Sequence, residues 1–174
     1  MGESNQLNAL QGLFSGIGHP ILGPDHLLFL LAITFVGLKH PKSWILPLLA
    51  FGMGGSLLAQ FIPLPDAISS WAESLASLSL AVEGLIALKL APSAFLLPLF
   101  SLHGFLLGNT IVGSEPNPLA SYFLGLFLSQ GSLLLLASNF SSRIIIYLEK
   151  RGQHITSGIW IGIGIAFAWA TLID

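Results

Sequence analysis

The chain of 174 residues contains no cysteine and very little charge, since only 8% of its residues are Asp, Glu, Lys or Arg. Without cysteine there is no disulfide framework, iron–sulfur cluster or thiolate metal site, so a bound metal would have to use nitrogen and oxygen ligands. A soluble domain carries about 25% charged residues, so this chain has too few to cover a surface that faces water. Its net charge of −2 and its lack of a basic run argue against a nucleic-acid partner.

In place of charge the chain has long apolar runs, and 53% of its residues are hydrophobic. A transmembrane helix needs roughly 20 mostly apolar residues, and the sequence offers about six such segments. We therefore predict an all-α fold: a polytopic membrane helix bundle that forms a single integral membrane domain over residues 1–174. The predicted segments are residues 7–38, 43–62, 67–90, 93–112, 118–140 and 155–173.

The positions of the positive charges predict how these segments are oriented. With six segments, every Lys and Arg of the chain falls on the same side of the membrane. The positive-inside rule then places both termini outside, in a bacterial-type cytoplasmic (inner) membrane or a thylakoid membrane. The inner side carries Lys39, Lys42, Lys89, Arg143, Lys150 and Arg151, and the outer side carries Glu3, Asp66, Glu115 and Asp174.

The first segment is interrupted by the most polar block of the chain, His19-Pro20-Ile21-Leu22-Gly23-Pro24-Asp25-His26. As one straight helix, residues 7–38 would be about 48 Å long, against a hydrocarbon core of roughly 30 Å. Proline removes a backbone donor and disfavours helical geometry in the residue before it. We therefore predict a broken element with one helix over residues 7–18, a second over 25–38, and Pro24 at the start of the second.

This block contains candidate metal ligands, because ionisable residues inside a membrane usually face a cavity or one another at a functional site. The imidazoles of His19 and His26 and the carboxylate of Asp25 form a ligand set that suits a divalent transition metal. Asp25 could ligate the ion directly or orient an imidazole from behind. His103 in the fourth segment strengthens the set, and Glu83 in the third could be a ligand, a proton acceptor or a structural hydrogen bonder. Alternatively, the block only hydrogen-bonds neighbouring helices and holds the break in shape.

Other polar residues have simpler expected roles. Glu73 lies near the outer end of the third segment, where water is the expected partner. His40 and His154 lie in inner loops, where we expect them to be solvated. The residues expected to hydrogen-bond between helices are Gln60, Asn109 and Gln130.

Taken together, these motifs resemble those of the HupE/UreJ family, small membrane permeases associated with nickel or cobalt uptake. The block from His19 to His26 is similar to the family signature His-Pro-x-x-Gly-x-Asp-His. The run Val82-Glu83-Gly84-Leu85-Ile86-Ala87-Leu88 resembles its third segment, and His103-Gly104-Phe105 with Ile111-Val112-Gly113-Ser114-Glu115-Pro116 resembles its second histidine motif and the loop after it. The resemblance implies that the metal-related residues of this chain are His19, Asp25, His26, Glu83 and His103.

Two functions remain open at this point. The first is secondary uptake of nickel or cobalt by a permease without a prosthetic group, whose partners are the metal ion and the lipid bilayer. With no P-loop motif in the chain, an ion gradient, the membrane potential or a coupled proton would drive it. The alternative is an accessory or metal- or cofactor-binding subunit that does not transport, forming a homo-oligomer or docking to a larger membrane complex through glycine faces such as Gly158 and Gly162. An intramembrane enzyme that activates water on a metal is disfavoured, because the sequence lacks HExxH.

Overall fold

The computed structural model describes residues 8–173, and within this range the chain is helical, with no β-strand. This confirms the all-α prediction for the described part of the chain. Three residues used in the predicted segments and orientation lie outside the described range: Glu3, residue 7 and Asp174. The α-helices of the described range are α1 (Ala9–Leu22), α2 (Pro24–Ala32), α3 (Ile45–Ala59), α4 (Asp66–Ala87), α5 (Leu96–Asn109) and α6 (Pro116–Ile173).

Within residues 8–173, two helical stretches are long and apolar enough to cross a membrane, Pro41–Ala59 and Pro116–Ile173. The first includes the 3₁₀ turn Pro41–Trp44 that leads into α3. The pair Ala9–Leu22 and Pro24–Phe35 is a further candidate if its 67° bend lies inside a single broken span. Large apolar side chains are exposed along several helices, as expected where helices face lipid. The chain is therefore a helical integral membrane protein, and the count of six spans and their orientation stay predictions.

Helix α6 has 58 residues, which at about 1.5 Å per residue is roughly three times the thickness of the hydrocarbon core. It is divided at Glu149, whose backbone angles (φ 51°, ψ −177°) are not helical. We call residues 116–148 the first limb of α6 and residues 150–173 its second limb. The two limbs contain the fifth and sixth predicted segments.

The sequence predicts a break between those segments in the polar stretch of residues 141–153, and the break at Glu149 lies within it, with helix on both sides. Two side chains stabilise the chain beside the break. The Ser141 hydroxyl donates to the Thr34 carbonyl (3.0 Å), which ties the end of the first limb to the chain after α2. The Gln153 amide donates to the Ile145 carbonyl (3.1 Å), and so bridges the two limbs across the bend. The break is therefore short, because polar side chains around it hydrogen-bond to backbone carbonyls.

The break in the first segment lies at Gly23, between α1 and α2, and not at residue 18. Helix α1 continues through Pro20, so His19 lies inside a helix rather than at the break. Proline cannot donate to the carbonyl one turn before it, which belongs to Gly16. The Ser129 hydroxyl of α6 donates to that carbonyl instead (3.3 Å), and this contact allows Pro20 to stay in the helix.

Helices α3 and α5 cross at very short range through their glycines. A Cβ atom on Gly104 would stand 1.9 Å from the Gly52 carbonyl oxygen, so any other residue at that position would force the two helices apart. The Ser56 hydroxyl donates to the Gly104 carbonyl (2.7 Å), and the Gln60 amide donates to the Gly108 carbonyl (2.8 Å). Small residues and side-chain hydrogen bonds thus fix α5, and with it His103, against α3.

Of the three predicted interhelical hydrogen bonders, Gln60 makes such a contact, whereas Asn109 bonds to the loop between α3 and α4. Gln60 bonds to α5 as described, and the Asn109 side-chain oxygen accepts from the Leu64 backbone N–H (2.9 Å). The side-chain oxygen of Gln130 is buried and has no hydrogen-bond partner among residues 8–173. Its predicted role is therefore not seen in the described contacts.

Candidate metal centre

The first turn of α2 and the middle of α5 bring two histidines face to edge. The His26 and His103 rings lie 4.8 Å apart, centroid to centroid, at an interplanar angle of 86°. One possible ligand atom from each of Asp25, His26 and His103 lies within 4.8 Å of the other two. Ligand atoms at about 2.1 Å from one ion stand about 3.0–3.4 Å apart in octahedral or tetrahedral geometry. The three side chains therefore lie close enough to share an ion once they move toward one another.

Asp25 and His26 form a pair within the first turn of α2. The Nδ1 atom of His26 lies 3.1 Å from the Asp25 carboxylate. When the carboxylate accepts from Nδ1–H, the lone pair of a neutral imidazole is on Nε2. His26 Nε2 is buried and has no hydrogen-bond partner in the described part of the chain. Asp25 therefore orients the ring as a carboxylate behind a metal-binding histidine does.

His103 shows the same arrangement with a hydroxyl in place of the carboxylate. Its Nε2 atom lies 2.7 Å from the Ser79 hydroxyl oxygen on α4. When the Ser79 hydroxyl donates to the Ala76 carbonyl (2.5 Å), its oxygen accepts from Nε2–H of His103. This places the lone pair of the neutral His103 ring on Nδ1, which is buried and unpartnered among the described residues. Each histidine thus presents one unpaired nitrogen.

An aromatic side chain holds the His103 ring from its other face. Phe29, one turn after His26 on α2, stacks on His103 with ring centroids 4.0 Å apart and an interplanar angle of 20°. Phe29 and His103 are 1% and 3% exposed, so neither ring has room to turn away. Neither Ser79 nor Phe29 can be recognised from the sequence, because their roles depend on how α2, α4 and α5 pack together.

The structure brings three of the five predicted site residues together, namely Asp25, His26 and His103, and does not add His19 or Glu83 to this group. His19 contacts the Tyr122 ring edge to face, with centroids 6.0 Å apart. Glu83 is 1% exposed on α4, and neither of its carboxylate oxygens has a hydrogen-bond partner within residues 8–173. For these two residues a ligand role stays a prediction.

An open cavity of about 520 Å³ leads to this group from the end of the bundle where α4 begins. Asp25, His26 and His19 line it, together with Glu73, which the sequence assigned to water alone. Lys and Arg are absent from the described lining residues. Two carboxylates without a neighbouring cation favour the entry of cations into this cavity, which we call the outer cavity after the predicted orientation of the chain.

The comparisons with known proteins give one match. A protein-family model described as HupE / UreJ protein matches residues 3–169, nearly the whole chain. No curated protein and no solved structure matches the chain.

Proposed function

The chain belongs to the HupE/UreJ family, and from this premise we propose that it takes up a divalent transition metal ion, nickel or cobalt, across a membrane. Members of the family are linked to nickel or cobalt uptake or to accessory roles in handling these metals. The proposed site consists of His26 and His103, with Asp25 as a third ligand or as the group that orients His26.

The observation that carries this proposal is the pair of buried, unpaired imidazole nitrogens, His26 Nε2 and His103 Nδ1. Leaving a polar atom buried without a partner costs about 1–3 kcal/mol. Here two such atoms lie on neighbouring rings beside a carboxylate, and each ring is held in place by a partner on its other nitrogen. Neutral imidazole nitrogen is a good ligand for nickel and cobalt, which supports a metal ion as the missing partner.

The positions of the polar residues suggest the order in which the ion meets them. The outer cavity with Glu73 collects the hydrated ion, which sheds water as it reaches Asp25, His26 and His103. Further along α4, Glu83 follows Ser79 by one turn, about 6 Å deeper in the bundle. In this proposal Glu83 receives or relays the ion beyond the histidines, and His19 lines the approach.

With the proposed orientation, the membrane potential can drive the ion inward. We propose a single domain of six spans with both termini outside, in a cytoplasmic-type or thylakoid membrane, with uptake toward the Lys- and Arg-rich side. A divalent cation moving inward gains about 4.6 kcal/mol per 100 mV, twice the value for one charge. The membrane potential alone could therefore drive uptake, without catalysis of a chemical reaction.

A second candidate function is that of an accessory subunit in a larger membrane complex. The second limb of α6 supports it, because a Cβ at Gly158 or Gly162 would meet no described atom within 4 Å. This small-residue face is open to close approach by another helix. Gly164, on the same limb, instead packs against α4, where its Cβ would stand 2.6 Å from the Ala81 nitrogen.

Uptake of labelled nickel and cobalt by metal-starved cells tests the proposal. The cells would express the wild type, His26→Ala, Asp25→Asn or, as a control, His154→Ala at matched membrane abundance. His154 is an exposed histidine of α6. We expect uptake by the wild type and His154→Ala, loss of uptake in His26→Ala, and a reduced rate in Asp25→Asn. Correct insertion of the wild type without uptake would instead favour the accessory subunit.

A further inference from the structure

A second cavity, of about 600 Å³, lies at the opposite end of α3 from the outer cavity. It is formed by the turn before α3 and by the first limb of α6. Its lining includes Lys39, His40, Lys42, Asn139, Phe140 and Arg143. The proposed metal pathway does not use this inner cavity.

The inner cavity is lined by positive charge that the described residues of its wall do not neutralise. Lys39, Lys42 and Arg143 all line it, and Asp and Glu are absent from its described lining. All three cations are exposed, so their charged ends can reach a ligand. Like charges around one cavity repel each other, and an anion bound between them removes this repulsion. The side chains of Asn139 and Ser142 add neutral hydrogen-bond donors to the same wall.

An apolar surface begins at the rim of the inner cavity and runs along α6. Phe140 lines the cavity and is 48% exposed, and on the same helical face Leu136 and Leu128 are 54% and 48% exposed. Ser132, between them, directs its hydroxyl to the Leu128 carbonyl (2.7 Å) and so adds no free donor to this surface. From residue 128 to residue 140 the helix rises about 18 Å, somewhat more than one leaflet of a hydrocarbon core of roughly 30 Å.

We propose that the inner cavity binds the phosphate headgroup of an anionic phospholipid, whose acyl chain lies on the face formed by Leu128, Leu136 and Phe140. Basic pockets between transmembrane helices on the cytoplasmic side are suited to anionic headgroups. A soluble phosphate ion would use the cations alone, whereas a lipid uses both the cations and the adjoining apolar face. The combination favours the lipid as occupant.

Two double variants with the same change in charge test this assignment in the purified full-length protein. Lys42→Gln with Arg143→Gln removes two cations from the cavity, and Lys150→Gln with Arg151→Gln removes one Lys and one Arg outside it. Native mass spectrometry would follow titrations with phosphatidylglycerol, with phosphatidylcholine and with inorganic phosphate. The wild type should bind phosphatidylglycerol more tightly than either other ligand.

Each basic residue close to an anionic lipid contributes roughly a fivefold factor, so the cavity variant should lose on the order of 30-fold in phosphatidylglycerol affinity. The control variant should stay within threefold of the wild type. Equal losses in both variants would overturn the proposal in favour of general surface charge. Inorganic phosphate that binds as tightly as the lipid would overturn it in favour of a soluble anion.

Circular dichroism would establish that both variants keep the helical content of the wild type. Should the cavity variant fail this check, Lys42→Gln and Arg143→Gln would be measured separately, each with an expected loss of about fivefold. Wild-type affinity in both single variants would contradict the proposal. The outcome does not depend on metal transport, since lipid binding is measured without a metal ion.

Discussion

Replacing Gly104 by alanine should move His103 and weaken metal binding, although the new side chain is a single methyl group. The added Cβ would stand 1.9 Å from the Gly52 carbonyl oxygen and 2.7 Å from the carbonyl carbon, where ordinary contact begins at 3.4 Å. The obstacle is helix backbone and cannot turn aside as a side chain could. Helices α3 and α5 would therefore have to separate by about 1.5 Å, the difference between 3.4 and 1.9 Å.

His103 precedes Gly104 directly, so this displacement acts on the proposed metal centre. Metal–ligand distances are held within about 0.2 Å of their usual values, and a shift of 1.5 Å exceeds this several times over. Removing a residue that hydrogen-bonds to a metal ligand costs about 10- to 100-fold in metal affinity. We expect Gly104→Ala to lose at least this much nickel affinity. Overpacking of the helix crossing should also lower the free energy of unfolding by about 1–3 kcal/mol.

Gly54→Ala is the matched control, because it makes the same change on α3 where a Cβ would meet no described atom within 4 Å. Equilibrium nickel binding and thermal unfolding of the purified proteins in detergent would measure both effects. Gly54→Ala should match the wild type in both assays. Wild-type affinity and unfolding temperature in Gly104→Ala would refute the argument that this helix crossing positions His103.

Three further predictions concern the metal centre and its approach. Ser79→Ala removes the acceptor for His103 Nε2–H and should lower nickel affinity about 10- to 100-fold. Ser79→Thr keeps the hydroxyl and should keep the wild-type affinity. ¹⁵N NMR of His103 would show whether the ring tautomer changes. Glu73→Gln removes a charge from the outer cavity, so the KM for nickel uptake should rise several-fold at low salt and the difference should shrink at high salt. Acidification should release bound nickel, because protons compete with the metal for the imidazole nitrogens, and a pH titration of the loaded protein measures this.

The sequence predicts local features well where one residue type determines them. The break before Pro24 follows from the glycine and proline at that point, and it lies within the predicted block. The end of α1 was predicted too early, because the tolerance of Pro20 depends on Ser129, a contact between residues far apart in sequence. The predicted break over residues 141–153 is present at Glu149 but is shorter than the polar stretch, since Ser141 and Gln153 bond to backbone carbonyls that the sequence alone does not place nearby.

In the candidate site, too, the sequence predicts the important residues but not the contacts between helices. Because they are ionisable residues within apolar segments, His26, Asp25 and His103 are predicted to be metal ligands. The structure brings these three residues together. Which nitrogen of each ring is left unpaired depends on Asp25 and Ser79, and the Ser79 contact requires the packing of α4 against α5. A serine in an apolar helix has no signature that separates this role from an ordinary bond to its own backbone.

Equilibrium binding of nickel and cobalt to the purified protein tests most directly that His26 and His103 form one metal site. The measurement compares the wild type with His26→Ala, His103→Ala, the double variant of the two and His154→Ala. We predict tight binding by the wild type and His154→Ala, and a loss in either single variant that the double variant does not increase further. Wild-type affinity in His26→Ala or His103→Ala, or losses that add up in the double variant, would contradict a site shared by the two rings.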